Sequence, residues 1–135
     1  LGHNFELANT YDYDLLWNKK IKVEVKTKGQ NVPNAPKGYY DASVYLTSMH
    51  QNVDYYIFCR IRCDNDEFPH GWVLGGITRK RFEKDARRLY KGQTDGSNNY
   101  VVLGDCLNIR YDQLDPIRTR MTMVPCDGPE VKELS

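Results

Sequence analysis

The sequence predicts an α/β (α+β) domain with strands dominating its first half and a helix beyond them. Three observations carry this. Tyr11 to Lys28 alternates charged and apolar residues with a period of two, which is the mark of paired strands. Val53 to Ile61 (VDYYIFCRI) is a nearly unbroken apolar and aromatic run of strand length. Thr78 to Lys91 places Phe82, Ala86, Leu89 and Tyr90 near helical spacing behind a Thr N-cap.

The elements follow in order. His3 to Ala8 (HNFELA) reads as a first strand. The hairpin of Tyr11 to Lys28 turns at Asn18, Lys19 and Lys20, after which Gly29 to Gly38 (GQNVPNAPKG) reads as an exposed loop. Ala42 to Leu46 and Val53 to Ile61 are strands, Asp64 to His70 a loop and Gly71 to Ile77 a short strand. The helix from Thr78 is expected to run through Lys91 and stop at Gly92. Gln93 to Asn99 is a loop, and Tyr100 to Leu103 and Leu107 to Ile109 are short strands. At 135 residues one domain, over 1–124, is expected. Residues 125–135 carry Pro, Gly and charge and read as a C-terminal tail.

Nineteen basic against eighteen acidic residues give a net charge of +1, which excludes a uniformly basic nucleic-acid coat. No run approaches a membrane span, and Leu1 to Thr10 lacks the pattern of a signal peptide. The reading is therefore an intracellular, cytoplasmic protein with no membrane partner. Cys59, Cys63, Cys106 and Cys126 are expected as reduced thiols, without the spacing of a zinc site.

The hairpin carries the chemistry. A turn at Asn18 to Lys20 pairs Trp17 with Ile21, which sets Asp14 opposite Glu24 and Asp12 opposite Lys26. These four share one face. Tyr13, Leu15, Trp17, Ile21, Val23 and Val25 make the other face wholly apolar, so that face is expected to turn toward the core and leave the charges outward. Paired carboxylates with a backbone carbonyl, here Asp14, Glu24 and the carbonyl of Val25, are the oxygen donors a hard cation such as Mg²⁺ uses. Lys26 would orient or help deprotonate a coordinated water and stabilise developing charge. Glu-x-Lys by itself arises about once in a few hundred positions by composition. The upstream Asp on the same face and the apolar reverse face are what distinguish this copy.

The segment YDLLWNKKIKVEVKTK resembles the core hairpin of the PD-(D/E)XK nuclease superfamily, which includes restriction enzymes, junction resolvases and phage and homing endonucleases. The resemblance implies a restriction-endonuclease-like central mixed β-sheet flanked by helices, in the order helix, three strands, helix, strand. It assigns Asp14 and Glu24 to Mg²⁺, with Mn²⁺ able to substitute, and Lys26 as the catalytic lysine. It implies hydrolysis of DNA phosphodiester bonds, in a prokaryotic cell or a phage-infected host, with a homodimer as the assembly for paired cuts. The position before Asp14 is Tyr13 rather than Pro, and no helix fits before the first strand. Either Leu1 begins a truncated chain or that helix is replaced. Asp12, Gln51, His50 and Glu6 are second-tier site candidates.

Arg79 to Lys91 holds seven basic residues against Glu83 and Asp85, a local charge of +5. Lys28, Arg79, Lys80, Arg87 and Arg88 are the candidates for phosphate contact. The alternative function is a noncatalytic nucleic-acid-binding or assembly domain with a degenerate nuclease-like fold, the hairpin charges being ordinary surface residues.

Overall fold

The computed structural model describes residues 7–8, 12–49, 51–63, 70–95 and 100–117, together with the backbone of 5–6, 120–126 and 128–134. Along the chain the strands are β1 (Phe5–Leu7), β2 (Leu15–Trp17), β3 (Ile21–Gln30), β4 (Asp41–Tyr45), β5 (Tyr55–Arg62) and β6 (Gly71–Thr78). Helix α1 (Arg79–Asp85) follows, then β7 (Arg87–Leu89), β8 (Thr94–Asp95), β9 (Tyr100–Val101), β10 (Cys106–Arg110), β11 (Arg120–Cys126) and β12 (Gly128–Leu134). The larger sheet has five strands in the order β1-β2-β3-β5-β6, and a second sheet has the order β4-β10-β7. This is a mixed α/β fold rich in strands, with one helix among the described residues.

The hairpin forms in the expected register: Trp17 pairs with Ile21, Leu16 with Lys22 and Leu15 with Val23. Asn18 and Lys19 both take positive φ, 51° and 58°, which matches the right-handed twist of a tight hairpin. β1 lies antiparallel to β2, within the expected His3 to Ala8 span. After β3 the chain crosses over through β4 and a short 3-10 turn at Leu46–Ser48, and returns as β5, parallel to β3. Asp54 fixes that return: its carboxylate accepts from Lys22 N–H at 3.0 Å and its own N–H donates to the Lys22 carbonyl at 2.9 Å.

The core does not lie where the hairpin's alternation placed it. Because β3 and β5 pair Glu24 with Tyr56, Lys26 with Phe58 and Lys28 with Arg60, the charged residues share a face with two of the largest buried aromatics. Tyr56 and Phe58 pack on Phe82 of α1, with ring centroids 5.1 and 5.9 Å away, and with Ala42, Val44, Ile77, Ile109 and Tyr111 they form the main cluster. The apolar face is buried as well, Val23 at 0% and Ile57 at 8% exposure. β3 is thus a central strand enclosed on both faces, and alternation along one strand cannot tell which face meets the main core.

The helix is shorter than expected. Thr78 caps it, its side chain accepting from Arg81 N–H at 3.2 Å, but it ends at Asp85 and not near Gly92. Arg87–Leu89 instead pairs with Cys106–Asn108 of β10, and the carboxylate of Asp41, at 2% exposure, receives the Arg87 guanidinium and Asn108 Nδ2. A buried carboxylate and an open strand edge outweigh a helical stripe that relied on Leu89 and Tyr90. In place of helices flanking the large sheet, one helix and the second sheet cover its core face. Gln93 to Asn99, expected as a loop, contains the short β8. Gly128–Leu134, expected within a tail, pairs as β12 with β11. The loop expected over Asp64 to His70 lies outside the described residues save for His70.

Candidate metal and nucleic-acid site

Asp14 stands one residue before β2, where the ladder to β3 has stopped. Its N–H donates to the Val23 carbonyl at 3.0 Å, and its carboxylate accepts the Val25 N–H at 2.9 Å. This backbone bond fixes the carboxylate beside β3. By the alternation of strand backbone, the Val25 carbonyl emerges on the same edge as its N–H, the edge that Asp14 occupies. Glu24, at 6% exposure, pairs in the ladder with Tyr56 of β5, and Lys26 Nζ lies 3.1 Å from Glu24 Oε2. Burial raises the Glu24 carboxyl above its ordinary value; hydrogen bonding to Asp14 raises it further, while Lys26 pulls it down. The Asp14 and Glu24 side chains are therefore held in contact, with the Lys26 ammonium paired to Glu24.

The structure brings together Asp14, Glu24 and Lys26, with Val25 supplying backbone. It carries neither Asp14 opposite Glu24 nor Asp12 opposite Lys26 as ladder pairs, because the ladder ends at Leu15; Asp14 meets β3 instead through its N–H on the Val23 carbonyl and its carboxylate on the Val25 N–H. Glu6 belongs to β1, opposite Leu16, and its side chain lies outside the described residues, as does all of His50. Gln51 sits in the crossover, where its carbonyl and that of Met49 accept the Arg79 guanidinium.

Mg²⁺ demands few protein ligands, one or two carboxylates with waters filling an octahedron. Asp14, Glu24 and the Val25 carbonyl meet that minimum. Among the described residues there is no group of three or more His, Cys, Asp or Glu side chains placed to hold an ion. The adjoining Asp14 and Glu24 side chains are the donor pair that a divalent cation would use.

The face expected to point to solvent instead faces the second sheet. Glu24 is covered, but beyond it the two layers part. A cavity of about 630 Å³ opens there, with Lys26 and Lys28 of β3 and Phe58 and Arg60 of β5 on one side, and Ser43 of β4 and Tyr111 on the other. Lys28 is accordingly not a surface cation: its Nζ donates to Ser43 Oγ at 2.8 Å and to the Asp41 carbonyl at 3.2 Å. Desolvation lowers its pKa, and Arg60 lowers it further. The cavity was not legible in the sequence, since it depends on how far β4 and β10 stand from β3.

The basic segment is divided by function as well as by structure. Arg79 is clamped on two carbonyls and bonded to Glu83 at 2.8 Å, and Arg87 answers Asp41. Lys80 and Arg88 are exposed, Arg88 lying 4.8 Å over the Tyr90 ring. α1 alone carries four basic and two acidic residues, so the +5 stretch is not one helical face. Among the described residues no helix is long and apolar enough to cross a membrane. Cys59, Cys63 and Cys106 are free thiols. No protein-family model matches the chain, and no curated protein or solved structure matches it.

Proposed function

We propose that the chain is a Mg²⁺-dependent endonuclease domain that hydrolyses DNA phosphodiester bonds. The observation that carries this reading is the convergence of Asp14, Glu24 and Lys26 from the end of β2 and from β3. Three antiparallel strands followed by a crossover and a parallel strand also agree with the strand order expected of a PD-(D/E)XK core. The crossover is made by β4 and a 3-10 turn in place of a helix.

Asp14, Glu24 and the Val25 carbonyl would hold the cation. Bound there, it would supply Lewis-acid polarisation of the phosphate and a more acidic water. The Val25 N–H fixes the Asp14 carboxylate, so that its free oxygen is oriented before any ligand arrives. Lys26, whose Nζ lies 3.1 Å from Glu24 Oε2, would hold the attacking water and stabilise negative charge on the phosphate. Lys80 and Arg88 offer exposed positive charge for the DNA backbone.

Plasmid nicking in Mg²⁺ tests the reading. Activity should vanish on chelation, return with Mn²⁺, and be lost in Lys26→Ala when the variant and the parent are compared at equal folded fraction by circular dichroism. Cleavage by Lys26→Ala at the parent rate would show that the Lys26–Glu24 pair is only structural, and the noncatalytic binding domain would then be the better account.

A further inference from the structure

The cavity beside Lys26 has a chemistry that duplex DNA cannot use. At about 630 Å³, the volume of a small-ligand pocket, the space between the two layers has room for a nucleotide and not for a double helix. Its floor is cationic. Lys28 Nζ makes two hydrogen bonds, to Ser43 and to the Asp41 carbonyl, so one of its three donors remains. Arg60 gives Nε and one terminal nitrogen to the Tyr111 hydroxyl, at 3.1 and 2.8 Å, which leaves other guanidinium hydrogens for an anion. Two carboxylates also line the space, Asp41 and Asp95. Asp41 is answered by Arg87 and Asn108, and Asp95 is 3% exposed and lies in the field of Lys28.

The mouth is aromatic. Tyr45 and Tyr100 line the cavity and are each 46% exposed. Gly104 lets the Tyr45 ring lie close over the backbone, since a Cβ there would meet that ring at 3.3 Å. Exposed rings at the rim of a cationic slot are the recognition elements of an unpaired nucleotide, with a π-face for the base and donors for the phosphate. A base that is already unpaired enters such a pocket at the least cost in unstacking and unpairing.

We infer that this cavity receives one unpaired nucleotide next to the bond to be cut, its base on Tyr45 and Tyr100 and its phosphate toward Lys28 and Arg60. The inference rests on the nuclease reading for its neighbour, Lys26, which lines the same cavity. It makes the substrate class branched, frayed or single-stranded DNA, not perfect duplex.

The test uses the wild-type chain and two DNA probes of one sequence, one fully paired and one with a single unpaired 5-iodouracil nucleotide. Binding is measured by fluorescence anisotropy with Ca²⁺ in place of Mg²⁺, followed by photo-cross-linking and peptide mapping. The unpaired probe should bind at least about tenfold tighter and cross-link to Tyr45 or Tyr100. Tyr100→Ala, at an exposed position, should remove most of that preference, and Ser43→Trp, which fills the slot, should remove all of it. Equal binding of both probes, or cross-links mapping only outside the cavity, overturns the inference. Plasmid nicking in Mg²⁺ separates the two readings. Nicking with equal probe binding keeps the nuclease and removes the pocket, whereas selective cross-linking without nicking keeps the pocket and removes the nuclease.

Discussion

The hairpin of β2 and β3 and the basic stretch from Arg79 to Lys91 both stand out in the sequence by their charge, yet the fold treats them in opposite ways. In the hairpin the charges converge. Asp14, Glu24 and Lys26 come within contact of one another at one point of the sheet. In the basic stretch they disperse: Arg79 turns to backbone carbonyls, Arg87 to a buried carboxylate, and Lys80 and Arg88 remain outside. Charge density along a chain therefore says little about charge density in space. A strand pair fixes which residues are neighbours within a few positions, whereas a helical stripe holds only as long as nothing outside competes for its residues.

The sharpest way to break this comparison is to exchange the expected phenotypes. Lys26→Ala should cut the rate of plasmid nicking per folded molecule by about 10²–10³-fold, the cost of removing one preorganised charge, and should also lower the urea midpoint, because Glu24 at 6% exposure loses its cation. Arg87→Ala should act on stability alone. It leaves the Asp41 carboxylate, at 2% exposure, with Asn108 as a remaining partner. Loss of one member of a buried pair costs about 3–5 kcal/mol. Because the Arg87 side chain is 49% exposed and partly screened by solvent, about 2–3 kcal/mol is expected. Urea unfolding measures it, and nicking by the folded fraction should persist. If Arg87→Ala proves as stable as the parent, the basic stretch is not a structural device.

A smaller effect concerns pH. The Glu24 carboxyl is raised above 4.5 chiefly by burial, then by Asp14. From 4.5 up to that folded value the native state binds more protons than the unfolded chain, so stability falls as pH rises across the window. Glu24→Gln should flatten this slope in thermal unfolding, and Mg²⁺ should raise the wild-type midpoint at pH 7.5 more than at pH 5. A Glu24→Gln variant with the parent's slope would move the strain elsewhere. The smallest effect belongs to the exposed cations. Lys80→Ala and Arg88→Ala should each lower the slope of log affinity for DNA against log salt by about 1, without changing preference for one sequence over another.

The hairpin register was legible because its rule is local: the turn at Asn18 to Lys20 and the number of residues on either side determine the pairs from Leu15–Val23 to Trp17–Ile21. That Asp14, Glu24 and Lys26 come near one another was legible from the same spacing, although Asp14 reaches β3 by its carboxylate and not by a ladder pair. Thr78 as a helix cap needed only its own neighbours. The end of α1 was not legible, since it is set by β10, a strand that follows β7 at a distance, and by Asp41 from β4. Nor was the side on which the core lies. Val23 and Glu24 are both buried, and only the pairing of β3 with β5 shows that Glu24 shares its face with Tyr56 and Phe58.

The amino-acid sequence by itself determined that one hairpin aligns two carboxylates and a lysine, because strand geometry converts spacing into position. Only the tertiary structure decided that this face looks into a second layer, that Lys28 and Arg60 line a cavity beside it, and that the arginines of the basic stretch are shared between carbonyls, a buried carboxylate and solvent. Those outcomes depend on contacts between residues tens of positions apart, whose free energy no local pattern contains.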